Sequence, residues 1–121
     1  MATAQSFGSS RGMREWKWSP AEKAIARRVF EQALERELDG LLRETKERVT
    51  RMTSPAELWD LEEWLGERRR QIDRDYDYRY SVLVLVFTVL LQTGRISEAE
   101  LAGLAGDKLE AIRFRFIIRE R

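Results

Sequence analysis

The segment Ser-Pro-Ala-Glu occurs twice in the chain, at Ser19–Glu22 and again at Ser54–Glu57. Each copy is typical of a helix start, because serine can cap the first turn, proline costs nothing at the first helical position, and glutamate can return the hydrogen bond. Ser97–Glu100 has the same capping pattern, and Asp107–Glu110 is a weaker version with aspartate as the cap. Four helices are therefore predicted.

The predicted stops agree with these starts. Pro55 interrupts the first helix, Gly94 can adopt the left-handed conformation that ends the second, and Gly103 and Gly106 end the third. The helices are predicted to span about residues 20–52, 55–93, 98–104 and 108–119. The predicted fold class is all-α.

The first two predicted helices are too long for a compact chain of this size. They measure ~50 and ~58 Å if unbroken at 1.5 Å per residue, whereas a compact chain of 121 residues is only ~35 Å across. Either Gly66 or residues 73–77 break the second helix, or the long pair projects as a stalk that buries its apolar stripe against another chain. We favour the stalk, since bundles and coiled coils tolerate such lengths.

Composition divides the chain into two predicted parts. Residues 1–15 are rich in small polar residues and are predicted to be a disordered tail. Residues 16–121 are predicted to form one helical domain, with a stalk over about 19–80 and a short-helix head over about 81–121. Ser81–Leu91 is almost continuously Val, Leu and Phe, too short for the ~20 residues that cross a bilayer. A helix buried on all sides is favoured there over a strand, because no second strand is available to pair with it.

Several functional classes are disfavoured by composition. The chain contains no cysteine and no histidine, so it lacks disulfides, thiolate nucleophiles and the usual general base at neutral pH. Its 22 basic and 21 acidic residues give a net charge of +1, which argues against a dedicated nucleic-acid binder. No apolar stretch near the N-terminus resembles a secretory signal, so a cytoplasmic location is predicted. Neither an enzyme, nor a cofactor, nor an integral membrane segment is expected.

Three features imitate functional sites. Residues 73–77 alternate aspartate as a calcium loop does, but Tyr78 and Val84 occupy the positions that require glycine and glutamate, so a metal site is not predicted. The adjacent carboxylates Glu62 and Glu63 diverge by ~100° on a helix, which makes acid–base catalysis improbable. The basic and aromatic alternation at 113–121 could touch phosphates or an anionic membrane, although a closing helix is favoured.

A helical wheel of residues 58–73 separates two faces. The predicted core stripe contains Leu58, Leu61, Leu65 and Ile72. The opposite face places Trp59 among acidic and basic side chains, namely Glu62, Glu63, Arg69 and Arg70. Trp and Arg are enriched at the energetic centres of interfaces, so this outward face is a predicted partner-binding surface. The alternative is that Trp59 covers a neighbouring helix of the same fold.

The long apolar stripes also predict a homodimer. They are longer than one chain can bury, and the candidate contacts on the first helix are Leu34, Leu38 and Leu41.

The order and spacing of many residues resemble the fluorescence recovery protein family of cyanobacteria. The likeness covers roughly Trp18 to Ile112. In the first half it is carried by Arg36–Leu42, Leu58, Trp59, Leu61, Leu65, Arg69, Ile72, Asp73, Tyr76, Asp77 and Arg79. In the second half it is carried by Ser81, Val86, Phe87, Leu90, Leu91, Gln92, Gly94, Glu100, Leu101, Leu104, Ala105, Asp107 and Lys108.

This resemblance implies an all-helical homodimer with an antiparallel stalk and a C-terminal head. It implies binding to the photoactivated orange carotenoid protein, chiefly at its C-terminal domain, and faster return to the orange form, which ends phycobilisome quenching. It assigns activity to Trp59, Glu63 and Arg69, and a dimer contact to Leu58. The family has His-Asp where this chain has Glu62 and Glu63, a difference that bears on partner preference.

Two other functions remain open at this point. Members of the family occur in bacteria without a carotenoid protein, so the chain could be a homodimeric helical scaffold or signalling adaptor with an unrelated partner. The third hypothesis is a binder of anionic surfaces that uses the C-terminus. If the source is cyanobacterial, the expected location is the phycobilisome side of the thylakoid.

Overall fold

The fold of the chain is all-helical, as the sequence predicts. The structure is a computed structural model in which residues 16–120 are described, with side chains described for residues 16–113. The predicted tail at 1–15 lies outside the described residues. The elements are α1 (Pro20–Arg51), α2 (Glu57–Asp75), α3 (Leu83–Gln92), a 3-10 helix (Glu98–Leu101) and α4 (Gly106–Glu120). Residues 16–120 contain no β-strand.

Helix α1 begins where its capping residues predict. The Glu22 N–H donates to Oγ of Ser19 at 3.1 Å, and the Ser19 N–H donates to Oε1 of Glu22 at 3.0 Å. The helix then continues for 32 residues and ends at Arg51, one residue short of the predicted end. At 1.5 Å per residue it is ~48 Å long, so it extends beyond any core that one such chain can build around it.

The predicted second helix at 55–93 is wrong as a single element. Helix α2 ends at Asp75 and α3 begins at Leu83, so the chain breaks at the region that the sequence offered as an alternative. The cause is the alternation of tyrosines. Tyr76 and Tyr78 both pack their rings against Phe30, and Tyr80 packs against Trp18. Residues two apart share one side in an extended chain, but lie ~200° apart on a helix.

The remaining starts differ from prediction by local geometry. At α2 the Glu57 carboxylate accepts the Ser54 N–H at 3.0 Å, but the first turn is tight and the helix begins at Glu57 itself. The predicted helix at 98–104 is a 3-10 helix of four residues. Helix α4 begins at Gly106 and not at 108, so Asp107 lies inside its first turn and is not the cap.

The hydrophobic core lies at one end of the molecule, which we call the head. The first part of α1 contributes residues 26–33, α3 contributes Leu83, Phe87 and Leu90, and the following segments contribute Leu101, Leu104 and Ile112. No α1 residue after Ala33 is buried. The sequence placed residues 19–80 in the stalk, yet 26–33 pack in the same core as α3.

Helix α3 is buried on most of its surface, not on all of it. Leu83, Val84, Val86, Phe87, Thr88 and Leu90 are buried, whereas Leu85 remains 49% exposed. Among the described residues no helix is both long and apolar enough to cross a bilayer.

Candidate protein-binding face

Helix α2 turns Trp59 away from the rest of the chain. The indole is 70% exposed, the largest exposure among the exposed large apolar residues described. Glu62, Glu63, Arg69 and Arg70 are exposed as well, so the orientation predicted by the helical wheel is confirmed. We call these five residues the outward face.

The charged groups of the outward face are largely free to bind a partner. Arg69 makes only a long contact with Asp73, 3.9 Å between Nε and Oδ2, with its side chain 86% exposed. In the described part of the chain, Glu62, Glu63 and Arg70 make no ion pair. Arg70 folds back over Gly66, so that a β-carbon there would stand 3.4 Å from its Nη1. The face therefore offers one flat aromatic ring bordered by two unpaired carboxylates, the unpaired Arg70 and the weakly paired Arg69.

The opposite side of α2 faces α1 through charged side chains. Trp64 lies between Arg48, 4.0 Å from the ring centroid, and Arg68 at 5.8 Å. Arg68 also donates to Glu44 at 3.0 Å and to Glu37 at 3.3 Å. The two tryptophans of α2 thus have different roles, one packed against α1 and one presented to solvent.

The predicted core stripe of α2 is not fully covered within one chain. Only Ile72 is buried, and Leu61 and Leu65 are half-buried. Leu58 is 52% exposed, so its prediction as a core residue is wrong. The reason is that the hydrophobic core formed by the described residues contains no residue of α2, so nothing in that core covers Leu58.

The same is true of the stripe along α1. Leu38 is 47%, Leu42 54% and Val49 51% exposed, and these three lie within ~40° of one another on the helix. Leu41 is half-buried, and Leu34 packs partly against the head core. An apolar strip on α1, and Leu58 near the start of α2, therefore lack a cover from their own chain.

Sequence reasoning missed a charged cluster at the base of the stalk. Gly94, with φ of 75°, reverses the chain after α3, and the Arg95 N–H donates to the Leu90 carbonyl at 2.8 Å. This turn directs Arg95 between α1 and α2, where it donates to Glu37 at 3.2 Å and to Asp75 at 2.9 Å.

Tyr76 completes this cluster. Its hydroxyl donates to Oε1 of Glu37 at 3.0 Å. Burial raises the pKa of Tyr76 to about 12, and the neighbouring Glu37 carboxylate adds to the rise. Burial alone would lower the pKa of Arg95, but the hydrogen bonds to Asp75 and Glu37 outweigh it and raise that pKa.

A second charged pair is buried in the head. Lys108 is 2% exposed, and its Nζ donates to Glu22 at 3.0 Å and to the Lys17 carbonyl at 2.6 Å. Burial would raise the pKa of Glu22, but N–H donation from Ser19 and Ala105 and the Lys108 ammonium lower it to about 2. The spacing of Lys108 and Ile112 on α4 was a signal for this burial, since residues four apart share a helix face.

The aspartates at 73–77 do not converge. Asp73 lies near Arg69, Asp75 pairs with Arg95, and Asp77 pairs with Arg79 at 2.6 Å. In residues with described side chains, no group of three or more carboxylates could hold a metal ion. Of the basic stretch at 113–121, Arg113 pairs with Glu98 at 3.2 Å, and the side chains from 114 onward lie outside the described ones.

Comparison with known proteins agrees with this architecture. Residues 18–114 match the model of the family described as the photoprotection regulator fluorescence recovery protein. The chain is 40% identical over 99 residues to the fluorescence recovery protein of Synechocystis sp. PCC 6803, which covers 82% of this chain and 91% of that protein.

Solved structures of such proteins are similar as well. The structure of the Synechocystis protein matches 80% of this chain and 95% of its own, with a TM-score of 0.76 and 40% identity. That of the Fremyella diplosiphon protein matches 79% and 94%, with a TM-score of 0.75 and 38% identity. A family model that spans most of the chain and two similar folds lead to one conclusion: the chain belongs to the fluorescence recovery protein family of photoprotection regulators.

Proposed function

We propose that this protein binds the photoactivated orange carotenoid protein, chiefly at its C-terminal domain, and accelerates its return to the orange form, which ends phycobilisome quenching. The observation that carries the proposal is the 70% exposure of Trp59 on a chain of this family. A large indole left in water gains most when a partner covers it. The action would take place in the cytoplasm, on the phycobilisome side of the thylakoid if the source is cyanobacterial.

The proposed mechanism is differential binding, without covalent chemistry or a cofactor. A protein that binds equally well to every arrangement of its partner changes no rate, so acceleration requires tighter contact with the arrangement in which the two carotenoid-protein domains reassociate. Trp59 supplies the buried area. The exposed guanidinium of Arg69 can exchange its long contact with Asp73 for a bidentate contact to a carboxylate.

The acidic residues of the face supply orientation. Glu63 lies one turn from Trp59 and is exposed, so it can pair with a cation of the partner. Glu62 and Arg70 border the same surface and would set its edge. Charges at the edge of an interface act mainly on association rate and on the choice of partner.

We also propose that the protein acts as a homodimer. The contact would use Leu34, Leu38, Leu41 and Leu58, the residues predicted from the stripes, together with Leu42 and Val49. Leu38, Leu42, Val49 and Leu58 are each about half exposed in the single chain. Fully burying an exposed Leu or Val contributes ~1.5–3 kcal/mol, so covering each of these half-exposed side chains contributes about half as much. A second copy in antiparallel orientation would place two such strips against each other along the stalk.

The test is the dark recovery of a photoconverted orange carotenoid protein. The red form is generated by blue light, and the return of the orange absorbance is followed with increasing amounts of this protein. We expect a saturable acceleration. Arg69→Ala should weaken it, whereas Arg43→Ala, a matched loss of an exposed arginine on α1, should not. No acceleration by the parent protein would refute the proposal, and the helical scaffold or adaptor would then replace it.

A further inference from the structure

The base of α2 is tied to the head by three side chains that we call the Arg95 clamp: Arg95, Glu37 and Asp75. The Arg95 guanidinium spans two helices, since its Nη1 donates to Glu37 on α1 at 3.2 Å and its Nη2 donates to Asp75 at the end of α2 at 2.9 Å. One planar group thus joins α1, α2 and the loop that follows α3. A guanidinium suits this role because its donors lie in a fixed fork.

Other hydrogen bonds fix Glu37 and Arg95 of the clamp in place. Arg68 and the Tyr76 hydroxyl each donate to the Glu37 carboxylate, so both of its oxygens accept hydrogen bonds. The Arg95 carbonyl accepts a bond from Arg36 at 2.8 Å. Arg95 is therefore fixed through its backbone as well as its side chain.

Burial makes these contacts stronger than ordinary surface ion pairs. The side chains of Glu37, Arg95 and Asp75 are 11%, 19% and 21% exposed. Partly buried pairs are screened by salt much less than exposed ones, and hydrogen bonds to charged groups are the strong ones.

Few apolar contacts perform the same task. Among the described residues, the apolar side chains packed in or against the head core come from α1, α3, α4 and the connecting segments, and none comes from α2. Ile72 is the one buried residue of α2. The clamp therefore holds α2 at its angle to the head together with Ile72 and the Arg68 contacts to α1, and it is the contact that joins the end of α2 to the loop after α3.

We propose that Arg95 is a positioning residue that fixes the angle of α2 to the head and so presents the outward face in one orientation. A partner that binds a face already held in place does not have to order it on binding, and the affinity is higher by that saving. The role of the outward face in this inference rests on the proposed function, whereas the angle of α2 does not.

The angle can be measured directly, because the chain contains no cysteine and introduced cysteines are unique. Nitroxide labels at Glu67→Cys on α2 and Ala102→Cys in the head occupy exposed positions. The labelled chain is diluted into excess unlabelled chain, and pulsed electron spin resonance gives the distance distribution within one chain. The parent should show one narrow distribution, and Arg95→Ala should broaden or shift it.

Two further variants separate positioning from general damage. Arg74→Ala removes an arginine that makes no ion pair in the described part of the chain, beside Asp75, and should leave the distribution unchanged. Arg95→Lys keeps the charge but can reach one carboxylate at a time, so it should lie between the parent and Arg95→Ala. If Arg95→Ala loses its helices, the distance distribution of Arg95→Lys provides the same test. A distribution that stays narrow and unshifted in the folded Arg95 variants overturns the proposal.

Recovery of the orange carotenoid protein adds the functional outcome. Arg95→Ala should need about fivefold more protein for half-maximal acceleration, with partial rescue by Arg95→Lys and an unchanged dimer mass. A broadened distribution with undiminished acceleration would overturn the positioning role. If the parent protein itself gives no acceleration, the proposed function fails, and the distance measurement alone still decides whether Arg95 sets the angle of α2.

Discussion

Replacing Lys108 with methionine should destabilise the protein by about 3 kcal/mol while its helices stay in place. The Lys108 ammonium lies 3.0 Å from Oε2 of Glu22, with 2% of one side chain and 9% of the other exposed. Removing one partner of a buried pair costs ~3–5 kcal/mol, because the other charge remains uncompensated. Methionine fills most of the volume, and Glu22 keeps its bonds from the Ser19 and Ala105 N–H groups, so the lower end is expected.

The loss should appear as a lower melting temperature. A domain of this size is stable by ~5–15 kcal/mol, so the variant remains folded at room temperature. With ~3–5 °C of melting temperature per kcal/mol at this chain length, the expected decrease is about 10–15 °C by circular dichroism. Parent and variant must be compared at one chain concentration, because dimerisation would shift the midpoint. Lys46→Met, at an exposed lysine of α1, is the matched control and should change stability by less than ~0.5 kcal/mol.

A double variant tests the cause. Glu22→Gln in the Lys108→Met background removes the buried carboxylate that has lost its Lys108 partner, and it keeps a capping side chain at that position. Part of the lost stability should therefore return. If Lys108→Met is as stable as the parent, or if the two losses simply add, the buried pair does not contribute as described here.

Three further predictions concern other contacts. The pKa of Glu22 is lowered from 4.5 to about 2 in the folded protein, so its contribution to stability is complete above pH 4.5 and is lost as the pH falls toward 2. The melting temperature should therefore decline between pH 4.5 and 2, and it should decline less in Glu22→Gln. Equal declines in the parent and the variant would exclude Glu22 as the source. Tyr76→Phe loses one hydrogen bond to Glu37 and keeps the ring against Phe30, so it should cost about 1 kcal/mol in a denaturant titration, and no cost would mean that the bond contributes nothing. Leu58→Glu should shift the mass by light scattering from about twice 14.3 kDa toward one chain, because a carboxylate would be desolvated in the proposed dimer contact, and an unchanged dimer would place Leu58 elsewhere.

Local rules predicted the start of α1 and the outward direction of Trp59. Ser19 and Glu22 cap α1 as their spacing requires, because capping depends on residues three apart and on nothing distant. The wheel placed Trp59 outward for a similar reason, since the ~100° turn per residue is set by the backbone alone.

The break after α2 depends on contacts that the local pattern does not reveal. No glycine or proline lies between residues 73 and 83, so the usual stop signals are missing. The chain leaves the helix because Tyr76 and Tyr78 pack on Phe30, more than forty residues earlier in the sequence. Tertiary packing thus overrides helix propensity there.

The burial of charged residues was also not predicted from the sequence. Arg95 and Lys108 read as solvated side chains, since Lys and Arg are almost never fully buried unless paired. Their partners lie 58 and 86 positions away, a separation at which a single sequence carries no pairing signal. Leu58 shows the reverse case, because an apolar stripe in a sequence does not distinguish a core from a contact between chains.

The most direct test of the central claim is the dark recovery assay with Trp59→Ala. Because the indole is 70% exposed, its removal leaves no cavity, and the helical signal and the dimer mass should equal those of the parent. The account predicts that acceleration of recovery then requires about thirtyfold more protein, the effect of losing ~2 kcal/mol at the centre of an interface. Recovery at the parent's rate and concentration dependence would show that the outward face is not the binding site.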